Sequence, residues 1–258
     1  MGFLTEKIAE VRRALEAQPL DDAALMSGVA SMPPPRRFVE AISSRRMAII
    51  AEVKRSSPSA GRIAEVDPAS LAETYEAAGA DAISVLTEGT YFGGSLSDLW
   101  AVHLGTHTVP VLRKDFLVHP RQVVEARARG ADAVLLISAC LNLPELEEML
   151  RVADDLGLGV LLETHSDEDL SKALSTEAPV IGVNSRDLET LEVDELRALA
   201  LLGQVPPDRI AVFESGVSSR AHVERAQAAG ASVVLVGEAL MRAADPAAKI
   251  GELLGGET

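Results

Sequence analysis

The 258-residue sequence contains one cysteine, Cys140. No internal disulfide can form, so a secreted, disulfide-stapled scaffold is excluded. Positive charge is scarce: 24 Lys and Arg stand against 39 Asp and Glu, for a formal net charge of -15. A nucleic-acid surface would need a basic stripe, so no nucleic-acid partner is expected. An anionic ligand would need a local cationic cluster to overcome the overall field. No apolar run approaches the roughly 18 residues of a membrane span, so no membrane partner is expected either. The opening stretch "MGFLTEKIAEVRRALEA" reads as an amphipathic helix of mixed charge. It has no continuous apolar core of the kind a signal peptide carries, and a cytoplasmic location is expected. There is no CxxC, HExxH or P-loop pattern. The five histidines do not cluster; His103 and His107 are four apart, but Gly105 intervenes, and both are expected at solvated surface. No metal and no cofactor are expected. Cys140 follows the apolar run "AVLLIS" and reads as a small buried hydrophobe near a strand end.

What the sequence does hold is apolar mass, at 47% of residues, and a repeat. Three segments resemble one another: "AAGADAISVL" (77–86), "ARGADAVLLI" (128–137) and "AAGASVVLVG" (228–237). In each a helix ends at a glycine suited to a left-handed closing position, and a β-rich run follows. Gly79, Gly130 and Gly230 are separated by 51 and then 100 residues. At about 25 residues per βα unit, these are the second, fourth and eighth of eight units. The remaining strands are expected at 46–54, 109–116, 158–165, 178–186 and 208–216. Helical patterns lie between, among them 68–78, 120–129, 144–156, 192–202 and 219–229. Pro68, Pro120 and Pro144 sit near helix starts, where a missing N–H costs little. Strands apolar along most of their length point to a parallel sheet covered on both faces. The expected fold is therefore α/β, a single (β/α)8 TIM barrel spanning 1–258. A doubly wound open sheet is the alternative, and it explains the near-uniform spacing less well. Residues 1–45 fall outside the repeat and read as an N-terminal helical extension packed on the barrel, with a breaker at "MPPPRR" (32–37) and a short helix near Phe38 to Ser43.

Polar residues gather where the strands end. Strand one ends in Glu52 and Lys54, which share a face because they are two apart. Strand three ends in Lys114, Asp115 and Phe116, strand five in Glu163, and strand six in Asn184, Ser185 and Arg186. Strand seven ends in Glu214, Ser215 and Gly216, and strand eight in Gly237 and Glu238. Barrels of this kind keep their active sites at the C-terminal ends of the strands. A single Lys–Glu pair there can be packing alone. Two lysines, three glutamates and an asparagine are harder to assign to packing, since an unpaired buried charge costs several kcal/mol. Gly216 and Gly237 each stand between a strand and a helix on the last two units, the usual barrel site for a phosphate. "SSPSAG" (56–61), directly after Lys54, reads either as a plain surface connection or as a lid over the mouth.

The motifs "AEVKRSSPSAG", "LTEGTYFGGS", "LRKDFLV", "GVNSRDLETLEV" and "ESGV" closely resemble the indole-3-glycerol-phosphate synthases of tryptophan biosynthesis. The resemblance covers almost the whole chain. It implies a lyase that converts 1-(2-carboxyphenylamino)-1-deoxyribulose 5-phosphate to indole glycerol phosphate with loss of CO2 and water. By motif, Lys114 resembles the general acid of ring closure. Lys54 resembles the lysine that contacts the substrate's charged groups and assists dehydration, and Glu163 its general base or acid partner. Glu52 and Glu214 resemble the carboxylates that orient the lysines. Asn184 and Arg186 resemble substrate-positioning groups. Phe92, Phe116, Leu188 and Leu191 resemble an apolar wall for the anthranilate ring. Ser57, Ser215, Gly216, Gly237 and Glu238 resemble the substrate and phosphate contacts. Glu238 departs from the family, where a small hydroxyl residue often follows the glycine; its side chain is expected to point to solvent. The expected partner is a small phosphorylated substrate, and a monomer is expected. The rival readings are a Schiff-base aldolase with Lys114 as nucleophile, and a non-catalytic binding barrel.

Overall fold

A computed structural model describes residues 2–18, 20–43, 47–58, 61–63 and 65–256. Eight parallel strands close into a barrel: β1 Ala48–Val53, β2 Ala82–Leu86, β3 Val111–Lys114, β4 Ala133–Ile137, β5 Gly159–Thr164, β6 Val180–Asn184, β7 Ile210–Glu214 and β8 Val233–Val236. Each strand pairs with its sequence neighbours, and β1 closes on β8 through Ala48↔Val233 to Ala51↔Val236. This is the expected (β/α)8 architecture. Strand interiors are buried almost throughout, because one face fills the barrel and the other meets the helices.

Twelve α-helices lie among the described residues. Three precede the barrel: α1 Phe3–Ala17, α2 Asp22–Ala30 and α3 Phe38–Ser43. The rest are α4 Pro68–Ala77, α5 Leu96–Gly105, α6 Pro120–Ala128, α7 Leu143–Asp155, α8 Asp167–Leu174, α9 Glu195–Leu202, α10 Arg220–Ala228, α11 Glu238–Arg242 and α12 Pro246–Leu254. Local chemistry sets their starts. Asn142 and Glu145 form a reciprocal capping box on α7, and Asp67 caps α4 just ahead of Pro68. The repeated glycines close their helices as the pattern requires: φ is 90° at Gly79, 89° at Gly130 and 113° at Gly230.

The "GAD" of the first two repeats also has a structural purpose. Asp81 accepts the backbone N–H of Ile49 at 2.9 Å, and Asp132 accepts that of Val111 at 2.9 Å, so each carboxylate ties its own unit to a neighbouring strand. Asp132 in turn receives the extension. Arg36 gives it a backbone N–H at 2.8 Å, while the Arg36 guanidinium donates to the carbonyls of Val109, Thr106 and His103. Nearby, Phe38 packs on Gly159 at the start of β5, where any side chain would collide with its ring. The extension thus seats on the barrel floor through Arg36 and Phe38, and α1 reaches the opposite end.

Cys140 is buried, as expected, and burial pushes its thiol pKa up. His107 is exposed, but His103 departs from the surface placement expected for it. It is half-buried and stacked on Trp100 with ring centroids 5.6 Å apart. No helix among the described residues is long and apolar enough to cross a membrane, and no group of His, Cys, Asp and Glu among them is placed to hold a metal.

Candidate active site

A cavity of about 390 Å³ opens at the C-terminal ends of the strands. Except for Ser57, every residue expected at the site lines it. The Ser57 side chain lies outside the described residues, as do Ser59 and Ala60 of the candidate lid. The flanking described backbone, Ser56–Ser57 and Gly61–Arg62, forms a two-stranded antiparallel hairpin. Arg55 anchors its base by gripping Asp98 with two hydrogen bonds of 2.7 and 2.9 Å.

Charge is arranged in two sets. At the end of β3, Lys114 Nζ donates to Glu163 Oε2 at 2.9 Å and to Glu214 Oε2 at 3.0 Å. These carboxylates come from β5 and β7, 49 and 100 residues away in the chain. Glu163 Oε1 also accepts from Asn184 Nδ2 at 3.0 Å. Glu214 Oε1 has no hydrogen-bond partner and lies over Gly182, where a Cβ would stand 2.2 Å from it. At the end of β1, Lys54 Nζ sits 2.9 Å from Glu52 Oε1, and Ser84 Oγ lies 3.5 Å from Glu52 Oε2.

The electrostatics follow from burial and pairing. Burial favours a neutral Lys114, but Glu163, Glu214 and Glu52 outweigh it and raise its pKa, so the amine remains an ammonium. Burial likewise favours a neutral Glu163. Lys114, then His165, with hydrogen bonds from Asn184 and Lys114, reverse that and hold Glu163 below the ordinary carboxylate value. Glu214 keeps the opposite balance. Its burial, reinforced by Glu163 and only partly offset by Lys114, pushes its carboxyl up to about 8. Two carboxyls on one ammonium are therefore shifted in opposite directions, Glu163 down and Glu214 up.

The apolar residues expected for the ring share this cavity. Phe92 and Phe116 have ring centroids 6.4 Å apart, and Leu188 and Leu191 line the same cavity. Arg186 also lines it and donates to the Leu191 carbonyl at 2.8 Å, bracing a loop in which Leu191 takes φ of 65°. On β7, Ser215 and Gly216 take φ of 68° and 75°, a sharp turn ahead of α10. Glu238 lies at the cavity edge, where its Oε1 accepts from Arg242 Nε at 2.9 Å.

Several wall residues went unforeseen. Phe3 of α1 lines the cavity and meets Phe116 edge-on at 6.2 Å. Glu88 lines it too, accepting the backbone N–H groups of Thr90, Tyr91 and Phe92 and pairing with the buried Lys7 of α1 at 2.7 Å. The β-period and the unit repeat carry no signal for a helix outside the barrel. The one available hint was a lysine and a phenylalanine on the apolar side of α1.

The family model described as indole-3-glycerol phosphate synthase matches residues 3–253. The chain is 47% identical over 254 residues to an indole-3-glycerol phosphate synthase of Micrococcus luteus, covering 95% of this chain and 94% of that one. It is 44% identical over 267 residues to that of Azoarcus sp. (strain BH72), covering 99% and 100%. Among solved structures, a 3-hexulose-6-phosphate synthase superposes with a TM-score of 0.64 at 21% identity, over 81% of this chain and 99% of that chain. That likeness is one of fold alone. With a family match over nearly the full length and relatives this similar, the chain belongs to the indole-3-glycerol phosphate synthase family.

Proposed function

We propose that Lys114 is the general acid of a decarboxylative ring closure, acting on 1-(2-carboxyphenylamino)-1-deoxyribulose 5-phosphate. The observation that carries this reading is the ammonium held between Glu163 and Glu214 on the cavity wall. As the carboxylate-bearing ring carbon attacks the ketone carbon, the carbonyl oxygen becomes an alkoxide. Lys114 donates a proton to it, making a hydroxyl. The aniline nitrogen carries the positive charge as an iminium. The bond to the carboxylate then breaks, its electrons return to the nitrogen, and CO2 leaves. In the dehydration, Lys54 protonates the departing hydroxyl and Glu163 takes the neighbouring ring-carbon proton, so one water is lost and the indole is aromatic.

Glu52 orients Lys54, and Glu214 orients Lys114. Asn184 fixes Glu163 and, with Arg186, positions the substrate. Phe92, Phe116, Leu188 and Leu191 hold the anthranilate ring. Ser57, Ser215, Gly216 and Gly237 receive the phosphate. Glu238, drawn to Arg242, contributes backbone only. A Schiff-base role for Lys114 fits less well, because a nucleophilic amine must be neutral and its two carboxyl neighbours keep it protonated.

We also infer that residues 1–258 fold as one domain with 1–45 as an extension, and that the protein acts as a cytoplasmic monomer. The tie between Arg36 and Asp132 supports the first point, and the biosynthetic family supports the cytoplasmic location. Sedimentation would test the monomer.

The test of the site assignment is Lys114→Ala. It should bind the substrate and close the ring at least about 100-fold more slowly, the usual contribution of a positioned acid. Wild-type turnover with ketose phosphate trapped by borohydride would favour the imine reading instead.

A further inference from the structure

His165 follows Thr164 directly after β5 and is nearly buried, its side chain 10% exposed. Its Nε2 lies in hydrogen-bond contact with the backbone carbonyl of Arg186. A carbonyl only accepts, so Nε2 carries the hydrogen, and in the neutral ring Nδ1 is left with a lone pair. Nδ1 faces Glu163 Oε1 at 3.9 Å. Two acceptors facing each other lack one proton between them. The gap closes when the pair gains a proton, either as imidazolium beside carboxylate or as carboxyl beside imidazole.

We propose that His165 is the proton partner of Glu163: the Arg186 carbonyl fixes its tautomer, and its Nδ1 receives the proton that Glu163 takes from the substrate. The inference rests on the reading of Glu163 as the base of dehydration. The other contacts of Glu163 are engaged elsewhere: Asn184 only donates to it, and Lys114 is shared with Glu214. His165 adds an imidazole whose Nδ1 lone pair faces Glu163 Oε1. In the step, the C–H electrons form the aromatic bond, the proton goes to Glu163, and it passes to Nδ1. Its return through Glu163 to Lys114, left short of a proton by ring closure, resets the site for the next cycle. The same hydrogen bond ties the end of β5 to the loop that carries Arg186, Leu188 and Leu191.

The charges around the ring are few. On its own strand stands Glu163. From α8 comes Asp169, whose Oδ2 accepts the His165 backbone N–H at 3.3 Å. From the loop after β6 come Arg186, whose guanidinium is turned to Leu191, and Asp187, whose carboxyl is lowered in part by His165. Lys114 acts only across Glu163.

The experiment compares kcat and KM against pH for wild type, Glu163→Gln, His165→Phe and His165→Gln, all as full chains with matched thermal melts. Both His165 variants should lose about tenfold or more in kcat with KM nearly unchanged. Their acid limb should move to lower pH, because the pair loses its imidazole, the more basic of the two facing acceptors. Gln restores a donor for the Arg186 carbonyl, so His165→Gln should recover any loss in KM or melting but not the limb. A wild-type kcat and pH profile in either folded His165 variant overturns the proposal, provided Glu163→Gln is impaired. Full activity in Glu163→Gln instead overturns the base assignment beneath it. Nitrogen NMR of wild type with labelled histidine reads the tautomer without mutation: Nε2–H with a bare Nδ1 at high pH is expected, and an Nδ1–H tautomer would overturn the proposal.

Discussion

Gly182→Ala is a substitution of one methyl group whose consequence can be worked from the geometry. Gly182 lies in β6, in register with Glu163 of β5 and Val212 of β7. An added Cβ would sit 2.2 Å from Glu214 Oε1 and 3.2 Å from Leu161 Cδ1, where contacts under 3.0 Å are essentially never found. The carboxylate must therefore retreat by about 0.8 Å or more. It is the far end of a flexible side chain, so the chain should still fold, at an overpacking cost of about 1–3 kcal/mol. The retreat draws Oε2 away from Lys114, to which it now stands at 3.0 Å. Lys114 loses one of two anchors and swings toward Glu163 alone. Displacing a catalytic group by about 1 Å costs on the order of 100-fold in rate. We expect kcat to fall by about 10- to 100-fold and KM to change by less than about threefold. Stopped-flow formation of indole fluorescence, alongside urea unfolding, reads both quantities. A folded variant with kcat within twofold of wild type would show that the position of Glu214 does not govern Lys114.

Three further outcomes follow from other contacts. Burial first, then the nearby Glu163, raises the folded-state pKa of Glu214 from 4.5 to about 8, so its contribution to stability is full below pH 4.5 and is lost as pH rises through 8. Glu214→Gln should flatten that loss in melts from pH 4.5 to 9; a curve parallel to wild type would contradict it. Arg36→Ala keeps the backbone N–H on the fully buried Asp132 but removes the guanidinium 3.5 Å from it and leaves several floor carbonyls without donors. It should destabilise by about 3 kcal/mol or more in urea, and a loss below about 1 kcal/mol would show that the extension does not depend on this anchor. Phe3→Ala removes an edge contact to Phe116 from the cavity wall. KM should rise several-fold with kcat nearly kept, and an unchanged KM would place α1 outside substrate binding.

Much of the fold was legible because βα units repeat. Gly79, Gly130 and Gly230 mark helix ends that physics reserves for glycine, and their spacing counts the units. The position of the charged cavity followed, since parallel strands present their C-terminal ends on one side. Pairing within the ring was not legible. Strand order alone does not say that Lys114 lies between Glu163 and Glu214 while Lys54 lies with Glu52; that depends on barrel stagger and on the space over Gly182 and Gly237. Phe3 and Lys7 escaped notice because α1 obeys no barrel period and reaches the mouth only through tertiary packing; Glu88, two residues past β2, was passed over although it too follows a strand end. His103 was misplaced for a similar reason: its shelter comes from Trp100, three residues earlier on one helix face, and from the Arg36 anchor.

The central claim is that Lys114 delivers the proton that makes ring closure possible. Its most direct measurement is a single turnover of the anthranilate-derived deoxyribulose phosphate by excess protein, wild type against Lys114→Ala, followed by indole fluorescence with substrate binding measured in parallel. We expect prompt indole formation by wild type, and a variant that retains substrate while closing the ring about 100-fold or more slowly. Ring closure by the variant at close to the wild-type rate would contradict the claim.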